Sequence, residues 1–157
     1  MAVFEGPRPH HPYLPWRFIS GPTLAYSERR TMTQARLSLG KHGEDLACRE
    51  LRRRGYAVLA RRYRTRWGEI DIVARDGDTL VFVEVKTRRS AGFGGPIAAV
   101  NFTKQRRLIN MARSYLMGVH GPEPPCRFDV VGVMVAAGEQ PVVEVLVNAF
   151  GVRQRFT

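Results

Sequence analysis

The sequence predicts an α/β fold, a mixed β-sheet flanked by helices. Three observations carry this. Gln34 to Arg54 and Thr103 to Met117 repeat apolar residues at three- and four-residue spacing. Around them lie runs rich in β-branched and aromatic residues, bounded by Gly, Asp and Pro. Leu80 to Val83 is apolar without alternation, the mark of a central strand covered on both faces.

Residues 1–31 hold five of the ten prolines and show no sustained periodicity, so they read as a disordered tail before a single domain over 32–157. Met32 is an alternative start of translation. The first helix, Gln34 to Arg54, carries Leu37, Gly40, Ala47, Cys48 and Leu51 on one stripe, with Gly55 as its C-cap. Glu44 sits in that stripe, either pointing towards the core or turning out to pair with Lys41. Tyr56 to Tyr63 reads as an edge strand. Arg61, Arg62, Arg64 and Arg66 follow, either as a charged strand end that discourages edge pairing or as phosphate contacts.

Glu69 to Arg75 and Thr79 to Thr87 form a hairpin. With Gly77-Asp78 as a two-residue loop, paired residue numbers sum to 155, and Asp71 lies opposite Glu84 with Cβ atoms about 5 Å apart. A four-residue loop keeps that parity, whereas three residues would put Glu84 on the other face. Lys86 shares the face of Glu84. Two like charges opposite one another are unfavourable unless a cation sits between them, and a divalent metal is the natural one. The alternative is a Glu84–Lys86 ion pair at an exposed strand end. Arg88 to Pro96 is a basic, Gly-rich loop. In the second helix Leu108, Ile109, Ala112, Tyr115 and Leu116 form the apolar stripe, and Lys104 and Gln105 extend it inward near the start. Arg106, Arg107 and Arg113 face solvent or phosphate. Arg127 to Val135 and Val142 to Val147 complete the sheet.

Composition narrows the function classes. The 157 residues carry a net charge of +11, and beyond residue 31 there remain 21 basic against 12 acidic side chains. A folded domain with that excess points to a polyanion, foremost nucleic acid. Of the basic residues only Lys41, Lys86 and Lys104 are lysine, a bias that keeps the compact ammonium for positions that need it. No apolar run approaches the ~20 residues of a membrane span, and no signal-peptide segment is evident. Cys48 and Cys126 make no zinc pattern, and His10-His11 stand alone in the tail. A cytoplasmic location, no membrane association and a second copy of the chain in a homodimer are the accompanying expectations.

Gly40-x-x-Gly43-Glu44, Gly68-Glu69-Ile70-Asp71, Phe82-Val83-Glu84-Val85-Lys86, Phe93-Gly94, Lys104 and Arg127-Phe128-Asp129 together resemble the YraN-like family of uncharacterised bacterial proteins. That family is similar to archaeal Holliday-junction resolvases of the PD-(D/E)XK nuclease superfamily. The resemblance covers Met32 to Val147 and implies a restriction-endonuclease-like core. It departs at Arg62, where the family more often has Asn. By resemblance, Asp71 is the central metal-binding aspartate and Glu84 the second carboxylate. Lys86 orients water and steadies charge on the phosphorane, Glu44 completes the metal shell, and Lys104 or Gln105 is the polar helix position near the site.

Those residue types suit phosphodiester hydrolysis with Mg²⁺ or Mn²⁺. Asp71 and Glu84 offer hard oxygens, and the Val85 carbonyl adds a third. Lys86 acts either as base or as a fixed charge. Arg64, Arg66, Arg88, Arg89, Lys104, Gln105 and Arg106 are the expected nucleic-acid contacts, with DNA as the partner. The expected function is a metal-dependent endonuclease acting on branched or repair intermediates. The alternatives are a nucleic-acid-binding module that cleaves nothing and a protein-interaction scaffold.

Overall fold

A computed structural model describes residues 26–89 and 100–151. Most of the tail, His10-His11 and Phe93-Gly94 lie outside the described residues. The elements are α1 (Tyr26–Arg53), β1 (Ala57–Thr65), β2 (Gly68–Asp76), β3 (Thr79–Arg88), α2 (Phe102–Leu116), β4 (Cys126–Met134) and β5 (Val142–Phe150). The strands form one sheet in sequence order, antiparallel except for β3 beside β4. This is the expected mixed α/β sheet with helices, and β1 is an edge strand, with β5 at the other edge.

The two helices cover opposite faces. Ala47, Cys48 and Leu51 of α1 pack on Ile72, Ala74, Val81, Val83, Val131 and Val133. Leu108, Met111 and Ala112 of α2 pack on Ile70, Val73, Leu80, Phe82, Phe128 and Val130. The central strand is therefore buried on both sides, which is why Leu80–Val83 is continuously apolar. Among the described residues no helix is long and apolar enough to cross a membrane.

Local chemistry sets the element ends. Gly55 takes φ +92, and the Gly55 and Tyr56 amides donate to the Arg52 and Leu51 carbonyls, closing α1. Helix α1 begins at Tyr26, eight residues before Gln34. Residues 31–34 are exposed and so is Leu37, so apolar periodicity carries no signal there. Asn101 caps α2 by accepting from the Lys104 amide at 3.0 Å.

At Gly43 a methyl group would lie 1.8 Å from Thr87 Oγ1, whereas nothing stands within 4 Å of the same position at Gly40. Glycine at 43 is thus what lets α1 sit against β3. Another close fit is polar. Arg127 donates to Asp129, to Asp76 at 2.7 Å and to the Tyr56 hydroxyl at 2.8 Å, and Asp129 also accepts from the Asn148 amide at 2.8 Å. These contacts fasten β4 to the β2–β3 turn and to β5, and among the described residues every buried polar side-chain atom is partnered.

Candidate active site

The β2–β3 register is the one expected: Asp76 pairs Thr79 and Ile72 pairs Val83. The ladder then stops one step before Asp71 and Glu84, while β2 stays paired with β1 down to Gly68. In the opened gap Asp71 Oδ2 accepts from the Val85 amide at 2.7 Å. The pleat also slips here. Ile72 packs on the α1 side but Ile70, two residues away, packs on the α2 side. Across from the slip Arg62 takes φ +51, a conformation that a long side chain rarely adopts.

Glu84 is buried at 6% exposure. Its Oε1 meets both the Lys86 and the Lys104 ammonium groups. The Glu84–Lys86 ion pair therefore exists, but inside the protein and with a second lysine from the first turn of α2. Glu44 is held by Arg62, with Nε 2.7 Å from Oε2 and Nη2 3.2 Å from Oε1. Lys41 is not its partner. Asp71, Glu84 and Lys104 line one groove of about 600 Å³ together with Trp67, Glu69 and Arg107.

The electrostatics follow from burial and from the neighbouring carboxylates. Burial, then the Glu84 charge, raises the Asp71 carboxyl from 3.8 to about 7; the Val85 amide opposes this, and Glu44 adds to it. Burial pulls the Lys86 ammonium below the ordinary lysine value, although Glu84 favours its charge. Burial also works against Lys104, but there the contact with Glu84 prevails and its pKa rises. Of two lysines on one carboxylate oxygen, Lys86 gives up its proton more readily.

No described group donates to Asp71 Oδ1 or Glu84 Oε2, so each carboxylate keeps a hard oxygen for a cation. Among the described residues no three His, Cys, Asp or Glu side chains converge as a cation cage, since Glu44 is turned to Arg62. The donor set present suits Mg²⁺ or Mn²⁺ and lacks the nitrogen and sulfur that zinc prefers.

The structure sorts the remaining expected contacts. Arg64 forms an exposed pair with Glu69, and Arg61 pairs with Asp45. Arg66 lies over the Trp67 ring, 4.8 Å from its centroid. Gln105 Nε2 donates to the Val100 carbonyl at 3.0 Å, and the residue does not line the groove. Arg106 lines a hollow beside the groove. Arg88 and Arg89 stand at the end of β3, where the Arg88 carbonyl accepts from Val135. Sequence reasoning missed the Arg62–Glu44 pair, and its one available signal was an arginine where Asn suits a left-handed residue. It also missed Trp67, whose display depends on the β1–β2 turn.

The model of the uncharacterised protein family UPF0102 matches residues 43–133. Similar curated proteins carry the name "UPF0102 protein". One from Streptomyces griseus is 55% identical over 112 residues, covering 70% of this chain and 93% of that protein. One from Nocardia farcinica is 49% identical over 113 residues, covering 72% and 89%. One from Geobacter sulfurreducens is 47% identical over 112 residues, covering 71% and 88%.

Proposed function

Because this chain belongs to the uncharacterised protein family UPF0102, whose name assigns no activity, we propose from the site itself that it is a metal-dependent endonuclease hydrolysing phosphodiester bonds in DNA, on branched or repair intermediates. The observation that carries this reading is the gap in the β2–β3 ladder, where Asp71 and Glu84 line an open groove and Lys86 meets Glu84. A sheet that stops pairing to seat two carboxylates sacrifices stability at that point, as working sites do.

Asp71 and Glu84, with Val85 and a Glu44 freed from Arg62, would hold Mg²⁺ or Mn²⁺. The ion would polarise a phosphoryl oxygen and make water more acidic. Lys86, whose lowered pKa lets its ammonium first release a proton to solvent, then takes the proton of the attacking water as a neutral amine. Lys104 stays charged, keeps Glu84 oriented, and steadies negative charge on the phosphoryl group. Arg66, Arg88, Arg89 and Arg106 receive flanking phosphates.

A second reading has its own observation. Arg62 on Glu44 and two lysines on Glu84 already balance those carboxylates, as in a nucleic-acid-binding module that cleaves nothing. Single-turnover assays with labelled branched, nicked and single-stranded DNA, with Mg²⁺ or Mn²⁺, separate the two. The nuclease reading expects cleavage that Lys86→Ala and Asp71→Asn abolish. Binding without cleavage under every condition would decide for the module, and cleavage indifferent to Lys86 would remove Lys86 from the mechanism.

A further inference from the structure

The groove at Asp71 continues into a second hollow. Trp67, Thr103 and Arg107 line both, and the second, of about 630 Å³, adds Arg66, Phe102 and Arg106. Two large rings stand in water there, Trp67 at 48% and Phe102 at 72% exposure. Single exposed apolar residues are ordinary. These two, however, share a hollow with three guanidinium groups, none of which has a carboxylate partner among the described residues. The neighbouring Arg61, Arg62 and Arg64 are all tied to carboxylates.

Both rings sit on anchored backbone. Arg66-Trp67 is the two-residue loop between the paired Thr65 and Gly68. Thr65 Oγ1 fixes it, accepting from the Trp67 amide at 3.1 Å and donating to the Gly68 carbonyl at 3.1 Å. Phe102 is the first residue of α2, directly after the Asn101 cap. Exposed aromatic rings beside arginines, one of which already lies over the Trp67 ring at 4.8 Å, match a ligand with its own flat faces and flanking negative charge. An unpaired nucleotide has both, whereas a base inside a duplex has its faces covered by its neighbours.

We infer that this hollow is a subsite for an unpaired nucleotide, with Trp67 and Phe102 stacking on the base and Arg66, Arg106 and Arg107 receiving the adjoining phosphates. The inference rests on the nuclease reading only for the position of the cleaved bond. It defines the substrate as DNA with a single-stranded stretch (a flap, gap or fork) entering beside Glu84.

Fluorescence anisotropy on the full chain, in EDTA at low salt, tests it. The probes are a 15-nucleotide oligothymidine, the same strand with abasic central positions, and a blunt 15-base-pair duplex. Trp67→Ala or Phe102→Ala should weaken oligothymidine binding by about 5- to 150-fold, the loss of one stacked base. Duplex and abasic binding should change by less than about 2-fold, and Trp67→Phe should restore most of the loss. Equal weakening of all three probes, or none, overturns the inference, and a protein-docking surface would give the latter. Cleavage is read separately through Lys86→Ala. Stacking-dependent binding without cleavage leaves this subsite standing and removes the nuclease. Lys86-dependent cleavage with no effect at Trp67 or Phe102 does the reverse.

Discussion

Replacing Asp71 with Asn should stabilise the metal-free protein, increasingly so as pH rises. In the folded state the Asp71 carboxyl titrates near 7, against 3.8 for the free side chain. Between those values the native chain holds a proton that the unfolded chain has lost. Stability therefore falls as pH climbs through that window. Each pH unit costs about 1.4 kcal/mol, so the penalty approaches about 4 kcal/mol above neutrality; access of solvent from the groove brings the expected figure to about 2–4 kcal/mol. Asparagine keeps the shape and an oxygen to accept from the Val85 amide, yet carries no charge. The variant should match wild type near pH 4 and melt about 10 °C higher at pH 8. Thermal unfolding in EDTA across pH 4.5–8.5 measures the difference. A gap independent of pH, or a variant less stable at pH 8, would refute the electrostatic account of the site.

Other perturbations test other links. Arg62→Asn should relieve about 1 kcal/mol of left-handed strain and free Glu44, so titration calorimetry should record tighter Mn²⁺ binding than in wild type. Gly43→Ala should cost about 1–3 kcal/mol in urea denaturation by colliding with Thr87, while Gly40→Ala should be neutral or stabilising. Asp129→Ala should cost about 3–5 kcal/mol by the same measure, because it leaves the Arg127 guanidinium short of its buried partner and the Asn148 amide unmatched. Duplex DNA affinity should fall with salt at a log–log slope on the order of −3 to −6; affinity unchanged by salt would speak against phosphate contacts.

Much of this arrangement was legible in the chain because strands have a period of two. A Gly-Asp turn and the alternation around it fix the β2–β3 register, which aligns Asp71 with Glu84. Helical spacing placed Glu44 and Lys104 on inward faces, and Lys104 does reach Glu84. The end of the ladder was not legible. It depends on the slipped pleat at Asp71 and on the left-handed backbone of Arg62, and neither leaves a periodic trace. Nor could spacing show that Arg62 rather than Lys41 would take Glu44, since that partner comes from a different element. Gln105 illustrates the limit of helical phase: one residue from Lys104, it satisfies a backbone carbonyl instead of the site.

The matched pairing of the site's charges bears on the order of assembly. Glu44 with Arg62, and Glu84 between Lys86 and Lys104, leave this carboxylate cluster close to neutral once a charged Asp71 is counted. A divalent ion arriving alone would leave it with surplus positive charge. A phosphodiester arriving alone would add its negative charge near Glu84 and Asp71. Together they cancel, so ion and nucleic acid should each raise the other's affinity by the same factor. Such reciprocity keeps the ion weakly held until a strand is in place.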